Sequence, residues 1–135
     1  MSQFNNDIRL ILFSGKYQRT QKKIYNIIKK IFPEEQINVH TTLENFLSYL
    51  REPDYSQRIF LIISNTQKDL SNILLFKNLL DDQHLILILP DTAQKTMSQA
   101  YKLYPRYISH VQSDFADVAN VLEKMISNFQ QKQRE

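Results

Sequence analysis

Five short apolar runs alternate along this chain with five longer stretches in which apolar residues recur every three or four positions. A short continuous apolar run is typical of a strand buried on both faces, and the longer periodicity is typical of an amphipathic helix. The predicted strands are residues 8–13, 37–41, 58–64, 85–89 and 107–111. The predicted helices are residues 17–32, 43–52, 70–80, 92–103 and 115–129.

Several helix ends are marked by residues that cap or break helices. Thr42 is predicted to cap the second helix, because its hydroxyl can accept a hydrogen bond from a free backbone N–H group. Ser113 or Asp114 is predicted to cap the fifth helix in the same way. Pro33 and Pro105 are predicted to stop the first and fourth helices. Residues 130–135 form a polar tail that we expect to be frayed.

Strands that alternate with helices predict an α/β fold, in which helices cover both faces of a parallel sheet. Right-handed crossovers leave few strand orders, and the flavodoxin-like order 2-1-3-4-5 is the commonest at this size. No repeat, linker or low-complexity segment interrupts the pattern, so residues 1–135 are predicted to form a single domain. A chain of 135 residues can bury a sizeable core without a disulfide or a metal.

Composition excludes several classes of chemistry. The chain has no cysteine, which excludes thiolate zinc sites, iron–sulfur clusters and cysteine nucleophiles. Its one glycine, Gly15, excludes the Gly-rich loops that bind phosphates in many nucleotide-dependent enzymes. His40, His84 and His110 do not have the spacing of metal ligands. We therefore predict no metal and no cofactor.

Hydropathy and charge bear on location and partners. Residues 1–7 are polar and no apolar run approaches the ~20 residues of a membrane span, so we expect a soluble, cytoplasmic protein without membrane contact. The net charge of +3 is only mildly basic. Lys22, Lys23, Lys29 and Lys30 make the first helix basic, which leaves open an accessory role in nucleic-acid binding. No aromatic residues are interleaved with these lysines for base stacking, so a solvated helix face is the favoured interpretation.

The order and lengths of the elements resemble, over almost the whole chain, the CheY-like receiver domain of bacterial response regulators. Tyr107 on the predicted fifth strand matches the aromatic switch position of that family. The resemblance implies that any chemistry would lie at the carboxyl ends of the strands, where an open α/β sheet has its crevice.

Four strand ends depart from the receiver pattern. Receivers have an acidic pair after strand one and a phosphoacceptor aspartate after strand three, where this chain has Ser14-Gly15 and Ser64-Asn65. Pro90-Asp91 replaces the hydroxyl residue of strand four, and His110-Val111 replaces the lysine and proline of strand five. Mg²⁺ favours carboxylates, and an amide cannot accept a phosphoryl group as a carboxylate does. The resemblance therefore implies a pseudo-receiver, a non-catalytic signalling or scaffold module that acts through protein contacts.

Three tyrosines mark a candidate interface near the fourth helix and the fifth strand, namely Tyr101, Tyr104 and Tyr107. In receivers the face formed by helix four, strand five and helix five is the usual output and dimer surface. The resemblance thus implies a protein partner, either a signalling protein or a second copy of the chain. Ordinary partial burial explains Tyr101 and Tyr104 equally well, and Tyr107 is expected to point inward.

Ser64, Asp91 and His110 allow a different interpretation, a small hydrolase, because a serine, a histidine and a carboxylate could meet at one edge of the sheet. Ser64 has no flanking glycine of the kind found in a nucleophile elbow, and the three residues follow three different strands. We therefore favour the prediction that they are polar caps of strand ends and that the protein is not an enzyme.

Overall fold

The computed structural model describes residues 8–15, 18–54 and 56–134, which contain five strands and five α-helices. The strands are β1 (Ile8–Phe13), β2 (Ile37–His40), β3 (Gln57–Ile63), β4 (His84–Leu89) and β5 (Tyr107–His110). The helices are α1 (Gln18–Ile28), α2 (Leu43–Arg51), α3 (Gln67–Leu74), α4 (Gln94–Tyr101) and α5 (Ala116–Arg134), and short 3₁₀ helices span Glu34–Gln36 and Lys77–Leu80. The polar residues 1–7 and the predicted helix start at residue 17 lie outside the described residues.

The strands form one parallel sheet in the order β2-β1-β3-β4-β5, which confirms the flavodoxin-like α/β prediction. In the register of the sheet, Phe13 of β1 pairs with His40 on one side and with Ile62 on the other. Because all five strands run in the same direction, their carboxyl ends lie at one edge, which we call the carboxyl edge.

Alternation along the strands sends side chains into two separate hydrophobic clusters. Leu10 and Leu12 of β1 belong to the cluster formed with α1 and α5, whereas Ile11 and Phe13 belong to the cluster formed with α2, α3 and α4. The side chains of residues 85–89 in β4 are completely buried. Helices thus cover both faces of the sheet, which explains why its strands are continuous apolar runs rather than alternating ones.

The first and third helices differ in length from the prediction for reasons that are visible in their backbones. α1 ends at Ile28, because Ile31 N donates to Ile28 O (3.0 Å) in a tightened final turn and Pro33 disfavours helical backbone before it. α3 begins at Gln67, earlier than predicted, because the Thr66 hydroxyl caps it. The predicted cap of α2 is confirmed, since Thr42 Oγ1 accepts a hydrogen bond from a backbone N–H of the first turn.

Both predicted caps contribute to the start of α5. Ser113 Oγ accepts a hydrogen bond from Phe115 N, and Asp114 Oδ1 accepts one from Ala116 N, each at 3.0 Å. The helix then continues to Arg134, because glutamine, lysine and arginine are favourable helix formers, and the fraying expected of residues 130–135 stays a prediction. Neither α5 nor any other described helix is long and apolar enough to cross a bilayer.

Candidate functional site

The strand ends singled out from the sequence lie together at the carboxyl edge. Backbone hydrogen bonds continue the ladder one residue beyond the strands, since Ser14 N donates to His40 O (3.2 Å) and Ser64 N donates to Ile88 O (2.8 Å). These two hydrogen bonds therefore hold the backbones of Ser14 and Ser64 in line with the sheet.

After β1 the chain presents a buried hydroxyl and a turn. Ser14 is buried, and its Oγ has no hydrogen-bond partner among the described residues. Gly15 has a φ of +63°, in the left-handed region that favours glycine, and a Cβ there would meet no other atom within 4 Å. Gly15 is thus needed for the backbone turn and not for close approach. Neither residue offers a carboxylate that could hold a divalent cation.

After β3, Asn65 links three elements. Its Oδ1 accepts a hydrogen bond from Thr20 Oγ1 of α1 (3.2 Å), and its backbone N donates to Asp69 Oδ2 in the first turn of α3 (3.2 Å). Asn65 Nδ2 is buried without a hydrogen-bond partner in the described part of the chain. Asn65 is therefore a structural link between β3, α1 and α3.

After β4, the carboxylate of Asp91 faces the start of α4. Its Oδ1 accepts a hydrogen bond from Ala93 N (2.9 Å). A hydrogen bond from the Thr96 hydroxyl, and then the one from Ala93 N, hold the pKa of Asp91 below its usual value. Thr96 Oγ1 also accepts a hydrogen bond from Gln67 Nε2 (3.2 Å), which connects α3 to α4. Asp91 therefore stabilises the loop that precedes α4.

The register of the sheet separates Ser64 from His110. Leu89 pairs with His110 across β4 and β5, and the ladder of β3 and β4 places Ser64 on the other side of Leu89. Two strand spacings of ~4.8 Å lie between the backbones of Ser64 and His110, and the buried Leu89 stands between them. Among the described residues, Ser64, Asp91 and His110 do not form a hydrogen-bonded triad, because Ser64 Oγ has no partner and Asp91 is bound near α4.

Two of the three candidate interface tyrosines are strongly exposed. Tyr101 is 60% exposed as the last residue of α4, and Tyr104 is 82% exposed in the turn that follows. The backbone of Tyr104 has a φ of +51°, which is uncommon for a bulky residue. We call Tyr101 and Tyr104 the exposed tyrosine pair.

The third tyrosine, Tyr107, belongs to the packing of β5 against α5. It is half-buried against the cluster of α1 and α5, and its hydroxyl donates to Asp117 Oδ2 (2.8 Å). Burial alone would raise the pKa of Asp117, but hydrogen bonds from the Tyr107 and Ser113 side chains and from Val118 N outweigh it and lower that pKa. The hydrogen bond between the Tyr107 hydroxyl and Asp117 raises the pKa of Tyr107.

Of the four lysines predicted to make the first helix basic, Lys22 and Lys23 lie on α1, whereas Lys29 and Lys30 follow its end. Lys23 Nζ donates to Ser113 O (3.2 Å) and lies 5.3 Å from the centre of the Phe115 ring. Lys22, Lys29 and Lys30 are exposed. Lys23 therefore fastens α1 to the segment before α5, and the other three lysines remain available at the surface.

Two of the histidines pack against aromatic rings. The His40 ring lies 6.0 Å from the Phe46 ring and 5.2 Å from the Tyr49 ring, and burial lowers the pKa of His40. The His84 ring lies edge-on to the Phe129 ring at 4.6 Å. Residues 8–15, 18–54 and 56–134 contain no group of three or more side chains that could hold a metal ion.

Sequence reasoning missed a polar cluster before β3. Tyr49 hydroxyl donates to Asp54 Oδ2 (2.7 Å), and Asp54 Oδ1 accepts hydrogen bonds from Ser56 N (2.9 Å) and Ser56 Oγ (2.6 Å). Burial opposes ionisation of Asp54, but the bonds from Ser56 and Tyr49 and the Arg58 charge outweigh it and lower its pKa to about 2. Burial, together with the bond to Asp54, raises the pKa of Tyr49 to about 12. The spacing of Asp54 and Ser56, typical of an Asx turn, is the available sequence signal.

A cleft of about 490 Å³ was also missed, and it opens at the carboxyl edge beside β1 and β3. The chain order reverses between these two strands, so this is the switch point where open α/β sheets bind their ligands. We call it the switch-point cleft. Its rim includes Gly15 and Thr66, and it also contains Lys68, Asp69 and Asn72. The spacing of Lys68, Asp69 and Asn72 could have indicated that one helix brings them to a common surface. Nothing in the sequence shows that α2 would line the same cleft.

No protein-family model and no curated protein matches this chain. A solved structure does, that of a protein from Burkholderia pseudomallei provisionally described as pilus assembly-related. The two chains are 13% identical and superpose with a TM-score of 0.62, over 94% of this chain and 96% of the other. At this level of identity the likeness shows the fold, a five-stranded parallel sheet between helices, and nothing further about activity.

Proposed function

We propose that this domain is a non-catalytic, receiver-like module that acts by binding another protein through the exposed tyrosine pair. The observation that carries the proposal is the exposure of two large aromatic side chains within four residues, at 60% for Tyr101 and 82% for Tyr104. Tyrosine is enriched in protein interfaces, because it combines a large apolar ring with a polar hydroxyl.

The surroundings of Tyr104 support this choice. Tyr104 borders a hollow of about 430 Å³ whose other lining residues include Asp81, Asp82 and Arg106. An aromatic centre with a polar rim is the usual arrangement of a protein interface. A partner that covered the ring would also meet hydrogen-bonding groups around it.

The carboxyl edge supports a role without phosphoryl transfer. Asn65 stands at the acceptor position and is held by Thr20 and Asp69, while Ser14-Gly15 supplies no carboxylate. Regulation would then depend on partner binding or assembly. The structural neighbour's description, pilus assembly-related, names an assembly process, and this agrees in kind with the proposal.

The experiment compares the unmodified chain with a Tyr101→Ser/Tyr104→Asn variant and with Leu75→Ser as a matched control. Leu75, which follows the last residue of α3, is 77% exposed, and asparagine tolerates the positive φ at position 104. Sedimentation velocity measures self-association, and affinity capture from the native host followed by titration of the purified partner measures binding. We expect the tyrosine variant to weaken the complex at least about tenfold, equivalent to about 1.4 kcal/mol, while Leu75→Ser leaves it unchanged. Equal binding by all three proteins would refute the proposal.

A further inference from the structure

The switch-point cleft has an apolar wall. Phe13 at the end of β1 lies in this wall, and its ring stacks on Phe46 with a centroid distance of 4.7 Å and an interplanar angle of 3°. Leu43 at the start of α2 and Ile73 of α3 complete the apolar surface. The volume of about 490 Å³ falls within the ~300–1,000 Å³ range of small-molecule sites.

Helix α3 also brings two charges of opposite sign to the cleft, Lys68 and Asp69. The side chains of Lys68 and Asn72 make no hydrogen bond or ion pair with another described residue, apart from the backbone hydrogen bonds of α3. Asp69 uses Oδ2 to accept the hydrogen bond from Asn65 N, which leaves Oδ1 without a partner in the described part of the chain. Since neighbouring residues on a helix do not face each other, Lys68 and Asp69 border the cleft as two separate charges.

We propose that the switch-point cleft binds a free α-amino acid with an apolar side chain. Lys68 Nζ would donate to the carboxylate of the ligand, Asp69 Oδ1 would accept from its ammonium group, and the Asn72 amide would bond to either. The apolar side chain of the ligand would lie against Phe13, Leu43 and Ile73. The residues that line this site do not include the exposed tyrosine pair.

The charges in the cleft disfavour other small ligands. A phosphate or another simple anion would be attracted by Lys68 but repelled by the Asp69 carboxylate. A simple cation would be attracted by Asp69 but repelled by Lys68. A wholly apolar ligand would remove both charged groups from water without replacing their hydrogen bonds, which is costly. An amino-acid zwitterion can pair with both charges, and an apolar side chain on it can pack against the apolar wall.

Amide chemical shifts of the full chain, recorded during titration with L-leucine, test the proposal directly. N-acetyl-L-leucine lacks the ammonium group, L-leucinamide lacks the carboxylate, and glycine lacks the side chain. We expect saturable shifts at Lys68, Asp69 and Asn72 with L-leucine, and binding at least about tenfold weaker for each of the other three probes. The proposal is overturned if leucine, isoleucine and phenylalanine all leave the shifts unchanged, or if the blocked analogues bind as tightly as leucine.

Two variants show which charge recognises which group. Lys68→Gln should abolish the preference for leucine over leucinamide but keep the preference over N-acetyl-leucine, and Asp69→Asn should do the reverse. Lys95→Gln on α4 is the matched control and should bind like the unmodified chain. Asp69 also accepts a hydrogen bond from Asn65 N, so the Asp69→Asn variant is expected to be less stable. If it does not fold, the ligand preferences of the Lys68→Gln variant alone test the assignment. Loss of both preferences together in the Lys68→Gln variant would contradict the assignment.

Discussion

The hydroxyl of Tyr107 donates a 2.8 Å hydrogen bond to Oδ2 of Asp117, and this bond joins the edge strand β5 to the first turn of α5. The receiver resemblance implies an aromatic switch at this position, but here the side chain is tied to a half-buried carboxylate. Tyr107 therefore contributes to stability, and the exposed tyrosine pair is the part of the predicted interface that is free to bind.

Removal of the Tyr107 hydroxyl should measure that contribution. A hydrogen bond to a charged group contributes about 1.5 kcal/mol or more, so Tyr107→Phe should lower the free energy of unfolding by about 1–2 kcal/mol in urea denaturation. Tyr101→Phe, at an exposed position, is the control and should change it by less than about 0.5 kcal/mol. Equal stability of Tyr107→Phe and the unmodified chain would show that the bond contributes nothing.

Asp54 should make stability depend on pH in the acidic range. Its pKa is lowered from 3.8 to about 2 in the folded chain, so its contribution is present above 3.8 and is lost as pH falls through about 2. Asp54→Asn should therefore cost about 1 kcal/mol near neutral pH, a value reduced from the full shift because the carboxylate is partly exposed to solvent.

The measurement for Asp54 is urea denaturation of both proteins at a series of acidic pH values. The difference between them should shrink as the pH falls from about 4 to about 2. Glu52→Gln, an exposed neighbour, serves as the control for the loss of one negative charge. A difference that stays constant through this range would mean that Asp54 does not provide the stabilisation.

His40 should produce a second, separate pH dependence. Burial lowers its pKa below the ordinary value of 6.5, so the unfolded chain binds a proton more readily than the folded one. The contribution of a neutral His40 is present above pH 6.5 and is lost as pH falls below it, towards the lowered pKa of the folded state. Thermal unfolding of His40→Gln should vary less with pH through this window than that of the unmodified chain. Parallel curves for the two proteins would contradict the assignment.

Phosphoryl donors should leave the chain unmodified. Acetyl phosphate with Mg²⁺ is expected to leave the intact mass unchanged, because Asn65 is an amide and Ser14-Gly15 offers no carboxylate for the cation. The Asn65→Asp variant should also remain unmodified, since it restores the acceptor without the cation site. A stoichiometric adduct at Asn65, Ser64 or Asp91 in the unmodified chain would show that phosphoryl chemistry survives at this edge.

Local patterns in the sequence were sufficient for the architecture. The continuous apolar run at residues 85–89 predicts a central strand, and β4 lies between β3 and β5 with both faces covered. Thr42 predicts the start of α2, because a cap depends only on the residues that follow it. These features arise from short-range chemistry, so a single sequence contains them.

Relationships between distant residues were not accessible in this way. The separation of Ser64 from His110 follows from the register of three strands, and a sequence can show that three residues reach one edge without showing that Leu89 lies between two of them. The bond from Tyr107 to Asp117 depends on how α5 packs after its turn. The switch-point cleft likewise requires the placement of α2 against α3, which no periodicity specifies.

The central claim is that the exposed tyrosine pair contacts another protein. Photo-cross-linking in the native host tests it directly, with p-benzoylphenylalanine introduced in place of Tyr101, Tyr104 or Leu75, all of which are exposed. We expect a discrete adduct of defined mass from positions 101 and 104, and none from position 75. The absence of any adduct at the two tyrosine positions, or the same set of adducts from all three, would contradict it.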